Sequence, residues 1–169
     1  SCHQSKEGEK HKFVFTTEPD KLCAECHDDL LSGLTLVHGP VAVGQCTACH
    51  DPHRSDRPKL LKAEERATCL DCHSDVGDRL SGAKQVHQPV ESGCVVCHNP
   101  HGSKNKMLLA AAGPQVCLEC HDDIAKHLDA NSHRHGPVEQ GDCTACHEAH
   151  GSKWSKLALH AYPATFYSP

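Results

Sequence analysis

The stretch Cys94-Val95-Val96-Cys97-His98-Asn99-Pro100-His101-Gly102-Ser103-Lys104 holds the pattern from which the rest of the chain can be read. Two cysteines lie three apart, a histidine follows the second at once, and another histidine comes three positions later. The Cys-x-x-Cys-His pattern recurs in six complete copies: Cys23/Cys26/His27, Cys46/Cys49/His50, Cys69/Cys72/His73, Cys94/Cys97/His98, Cys117/Cys120/His121 and Cys143/Cys146/His147. These use 12 of the 13 cysteines, and Cys2-His3 reads as the second half of a seventh copy. A longer period lies beneath. His38-Gly39-Pro40-Val41, His87-Gln88-Pro89-Val90 and His135-Gly136-Pro137-Val138 precede every second motif, and His53, His101 and His150 follow those same motifs. The repeating unit is therefore a pair of motifs, with units at 1–37 (partial), 38–86, 87–134 and 135–169 (partial). Arg54-Ser55-Asp56 stands where the later copies have Gly102-Ser103-Lys104 and Gly151-Ser152-Lys153.

Residues i, i+3 and i+4 project from one face of a helical turn. Two thiols so placed can bond the two vinyl groups on one edge of a porphyrin, and the adjacent His then lies over the ring with its imidazole at the iron. This is the signature of c-type haem attachment. Zinc ribbons also use Cys-x-x-Cys, but zinc does not require His immediately after the second Cys in every copy. A redox dithiol or a disulfide scaffold fails on the same ground. The cofactor expected is haem c, at six complete sites and a seventh at Cys2-His3.

The composition agrees with an interior filled by something other than side chains. Aromatics are 4% of 169 residues, with one Trp and one Met, and mean hydropathy is -0.54. A polypeptide of this kind buries too little apolar surface to offset its conformational entropy. The expected fold is mostly irregular with short α-helices, haem-cored, built from repeating two-haem units. Helix starts are read at Thr17 to Asp20 and at Gly113-Pro114, and helical runs at Lys59 to Arg66 and Met107 to Ala112; no strand is indicated. Leu60, Leu61, Leu108 and Leu109 are expected on porphyrin faces. The thioethers act as cross-links on the unfolded chain, so the apoprotein is expected to be largely unfolded. A net charge of -5 without a basic face gives no site for nucleic acid, and no transmembrane segment is present. The chain begins inside a motif and ends in Tyr162 to Pro169 without a closing element, which reads as a piece of a longer polypeptide.

From Ser1 to about Lys156 the sequence resembles the multihaem cytochromes with doubled Cys-x-x-Cys-His motifs, related in style to the cytochrome c3 group. The resemblance implies bis-histidine haems, electron transfer and residence outside the cytoplasm. Counting ligands agrees: Met107 is the lone Met, whereas ten histidines lie outside the attachment motifs. Of these, His38, His87 and His135 share one repeat position and His53, His101 and His150 another. His11 is the first unit's counterpart, while His127, His133 and His160 break the pattern. A His three residues after the proximal one cannot easily reach the far side of the same ring, so His53, His101 and His150 are expected on the iron of a neighbouring haem, cross-linking the pair.

The leading function is conduction of electrons along closely spaced, low-potential bis-histidine haems. A subunit of a polymeric extracellular cytochrome filament is the alternative. A multihaem oxidoreductase is less favoured, since it needs an open iron and the histidines cover every site. Haem attachment to thiols takes place outside the bacterial cytoplasm, so an exported periplasmic or extracellular protein, bacterial or archaeal, is expected. Its partners would be redox proteins or an extracellular electron acceptor, with homo-oligomers possible.

Overall fold

The computed structural model describes residues 2–8, 12–19 and 21–161. His11, Asp20 and the segment after Ala161 lie outside the described residues. The described residues are mostly turn and irregular segment, punctuated by short helices and three two-stranded antiparallel ladders, in keeping with a small haem-binding protein. No helix among the described residues is long and apolar enough to cross a membrane.

Every complete motif forms one turn. The carbonyl of the first Cys accepts from the backbone N–H of the second Cys at 3.2–3.3 Å and from that of the His at 3.0–3.1 Å. Cys, Cys and His are thereby held on one face. At Cys23, Cys46, Cys94 and Cys143 the turn is a 3-10 segment, whereas Cys69 and Cys117 close the helices Glu65–Leu70 and Gly113–Leu118. Longer helices, Ser74–Gly82 and Asp122–Ala130, follow those two motifs.

His38, His87 and His135 each sit at the extended N-cap of a short helix (Gly39–Ala42, Gln88–Ser92 and Gly136–Glu139) that carries Pro in its first turn. Proline suits that place because it presets φ and its missing N–H would be unpaired there anyway. The helix expected at Gly113-Pro114 forms for the same reason.

The two leucine-rich helical runs do not form as read. Lys59–Leu60, Met107–Leu108 and the equivalent Lys156–Leu157 are consecutive left-handed residues with φ of 54–59°. Such residues cost on the order of 1–2 kcal/mol each. The geometry turns two carbonyls toward the preceding motif. Leu60, Leu108 and Leu157 accept from the N–H of Asp51, Asn99 and Glu148, each at 2.8 Å. A serine closes each loop: Ser55, Ser103 and Ser152 donate from Oγ to Leu61, Leu109 and Ala158, at 2.5 Å. Their hydroxyls also accept from the N–H two residues on.

Short ladders then join segments distant in the chain. Leu36–Val37 pairs with Gly102–Ser103, and Gln85–Val86 with Gly151–Ser152. These two-residue strands are too brief for alternation to show. Glycine is required at the first ladder, because a Cβ on Gly102 would lie 2.5 Å from the Leu36 carbonyl oxygen.

The polypeptide makes almost no core of its own. Leu80 and Ala158 are the buried hydrophobic residues, and no large side chain is fully buried, among the described residues. The accessible surface is 12662 Å², against about 8,100 Å² for a compact folded chain of 18.3 kDa. The protein is shaped to enclose something other than itself.

Candidate haem sites

Folding brings histidines together in pairs, and each pair joins a motif His to a His outside the motifs. His73 and His38 have ring centroids 6.1 Å apart at an interplanar angle of 18°. His121 and His87 lie at 6.1 Å and 15°. For His50 with His101 the values are 6.0 Å and 24°, and for His98 with His150 they are 6.1 Å and 15°. His3 and His53 lie at 6.2 Å but are tilted by 54°.

Rings stacked squarely face to face would be closer, although offset or edge-to-face pairs span about 4.5–7 Å between centroids. Two imidazoles on opposite sides of one metal would have centroids about 6.2 Å apart, from metal–nitrogen bonds of about 2.0 Å and about 1.1 Å from nitrogen to ring centre. What favours the second case is recurrence: five pairs, each joining a motif His to a His outside the motifs, keep the same 6.0–6.2 Å. No cluster of three or more His, Cys, Asp or Glu side chains that could hold a bare ion occurs among the described residues. Two nitrogen donors per site fit an iron whose other four ligands belong to a porphyrin, and they do not fit tetrahedral zinc. None of the thirteen cysteines is in a disulfide.

In the His50/His101 and His98/His150 pairs the motif ring is fixed by the backbone. Nδ1 of His50 and of His98 is 2.7 and 2.8 Å from the left-handed carbonyls of Lys59 and Met107, and His147 meets Lys156 in the same way at 2.9 Å. In the His73/His38 and His121/His87 pairs it is the non-motif ring that is held: Nδ1 of His38 lies 2.9 Å from the Pro100 carbonyl, and that of His87 2.9 Å from Ala149. A carbonyl only accepts, so Nδ1 carries the proton and Nε2 keeps its lone pair for a metal.

Two pair registers emerge. His38 and His87 meet the motif His further on in their own unit. His53, His101 and His150 each meet the first motif His of the preceding unit, at His3, His50 and His98. These three were expected on a neighbouring haem, cross-linking the pair; the rings they face belong to the preceding unit, and the His38 N–H bonds to the His101 carbonyl at 3.0 Å. His135 keeps the N-cap position but meets no second ring among the described residues, and neither do His27, His127, His133, His147 and His160. His11 lies outside the described residues.

The thiols are close-set across units. Burial, and then the neighbouring Cys94 thiol, push Cys69 up to about 12. Cys23 and Cys117 are raised by burial and then by Cys46 and Cys143. Burial, followed by Cys120, raises Cys97. Each second motif thus lies thiol to thiol against the next unit's first motif. His101 and His150 titrate below the usual histidine range because burial disfavours the charged ring, which keeps them in the neutral form that binds metal. Asp51 is lowered by the N–H groups of His53 and Arg54.

Sequence reading missed Ser55, Ser103 and Ser152. Their signal is a fixed place nine residues after Cys46, Cys94 and Cys143.

No curated protein matches the chain. The family described as the doubled CXXCH motif matches three times, at 38–78, 87–126 and 135–165. Each match starts at the His that caps a short helix before a motif turn. With about two thirds of its length matched, the chain belongs to the doubled CXXCH motif family, whose paired motifs mark multihaem c-type cytochromes that bind haem for electron transfer.

Proposed function

We propose that this protein conducts electrons along a row of low-potential bis-histidine haems, with the pairs His3/His53, His73/His38, His50/His101, His121/His87 and His98/His150 as axial ligands. The observation that carries the reading is the pairing itself: five motif histidines each face one non-motif histidine at 6.0–6.2 Å. Haem supplies one-electron chemistry when bound. The chain supplies the thioether anchors at Cys23, Cys26, Cys46, Cys49, Cys69, Cys72, Cys94, Cys97, Cys117, Cys120, Cys143 and Cys146, with Cys2 serving a seventh site. Two imidazoles and no Met on an iron favour low potential. The thiol contacts between units bring successive porphyrin edges together, in the manner of the cytochrome c3 group, so electrons hop without a substrate pocket. The protein acts as a carrier rather than an enzyme, outside the cytoplasm, between redox proteins or toward an extracellular acceptor.

The test is spin state in the holoprotein. His38→Ala, His87→Ala, His101→Ala and His150→Ala should each convert one haem from low to high spin by electron paramagnetic resonance. Variants that keep the wild-type spectrum would refute the ligand pairs.

A further inference from the structure

The side chain directly after each first motif, at positions 51, 99 and 148, faces the His two residues later. Asp51 and Asn99 accept from the backbone N–H of His53 and His101 at 2.9 and 3.1 Å. Glu148 is longer, and its Oε1 lies 3.5 Å from both the N–H and Nδ1 of His150. That Nδ1 is buried and has no hydrogen-bond partner, so the nearby carboxylate acts on it as a charge. The carboxylate is only 24% exposed, and its other oxygen is 3.7 Å from the Arg79 guanidinium. Arg79 comes from the helix Ser74–Gly82, two units earlier in the chain, and also holds Asp75 at 2.8 Å.

We infer that Glu148 is a redox-positioning residue, holding the haem between His98 and His150 at a lower potential than the haem between His50 and His101, where the neutral Asn99 takes its place. This rests on the ligand pairs proposed above. A carboxylate beside the Nδ1–H of an axial imidazole makes the ring a stronger donor and favours the more positive ferric iron. Anionic charge in a site half removed from water acts strongly at this range. Reduction adds one electron to iron and breaks no bond, so the difference lies wholly in how each oxidation state is stabilised. Arg79 offsets part of the Glu148 charge. The offset between the two haems biases electrons from the His98 site toward the His50 site, toward lower residue numbers along the chain.

The experiment is a spectroelectrochemical titration of the holoprotein and three variants. Glu148→Gln should make one haem easier to reduce, changing its oxidised-to-reduced ratio by about tenfold at fixed potential, about 59 mV for one electron. Asn99→Asp should move a different haem the other way, and Arg79→Gln should move the Glu148 haem down. Titrations of Asn99→Asp and Arg79→Gln that overlay wild type, with low-spin spectra retained, would overturn this inference and leave the ligand pairs standing. An unchanged spectrum in His150→Ala would overturn both.

Discussion

The first joint between units and the inner joints hold their imidazoles at nearly the same distance but not in the same way. His3 and His53 lie 6.2 Å apart, against 6.0 and 6.1 Å for His50/His101 and His98/His150, yet the first pair is tilted by 54° and the others by 24° and 15°. The His53 side chain is 78% exposed, while that of His150 is 30%. Strand pairing differs too. The inner joints have the ladders at Gly102–Ser103 and Gly151–Ser152. Residues 53–55 have no strand partner among the described residues, and His3–Ser5 pairs with Phe13–Phe15 instead. Arg54 occupies the place of the inner glycines. Spacing therefore comes from the motif turn and the loop after it, while the ladder sets ring orientation and burial.

Breaking an inner ladder should have the largest effect. Gly102→Val forces side-chain atoms into the Leu36 carbonyl and displaces two ligands together, because His38 hydrogen-bonds to the His101 and Pro100 carbonyls. We expect two irons to become high spin and the holoprotein to lose about 3 kcal/mol, read by paramagnetic resonance with spin counting and by denaturant unfolding. Ser103→Ala comes next. Ser103 is 4% exposed and its hydroxyl both donates and accepts, so losing it should cost about 1–3 kcal/mol in the same unfolding experiment. Ser55→Ala, in the more open first loop, should cost less.

The joints also differ in a way that spectra resolve. Parallel axial imidazoles split the iron d-orbital pair, and crossed rings leave it closer to degenerate. One low-spin ferric signal, that of the His3/His53 haem, should show a larger maximum g value than the rest, and His53→Ala should remove it. The smallest effect is expected from Arg54→Gly. With no strand to approach closely at that position, stability should change by less than about 0.5 kcal/mol, and the distinctive signal should stay.

Much of the site was legible because its chemistry is local. Cys-x-x-Cys-His specifies a single turn wherever it occurs, and His-x-Pro specifies an N-cap. The partner of each outer His was not legible, since it depends on ladders only two residues long between segments some 65 residues apart, such as Leu36–Val37 with Gly102–Ser103. The left-handed turns were hidden for another reason. Lys59-Leu60 and Met107-Leu108 are good helix formers, and no glycine marks them. They adopt φ above 50° because the carbonyls they present to His50 and His98 compensate the local strain.

Iron-edge anomalous diffraction from crystals of the holoprotein tests the central claim most directly, since it locates each iron and its axial ligands. The account predicts His101 on the iron of the Cys46–Cys49 haem and His150 on that of Cys94–Cys97, each opposite the motif His. Finding His101 or His150 on a haem of its own unit would contradict it.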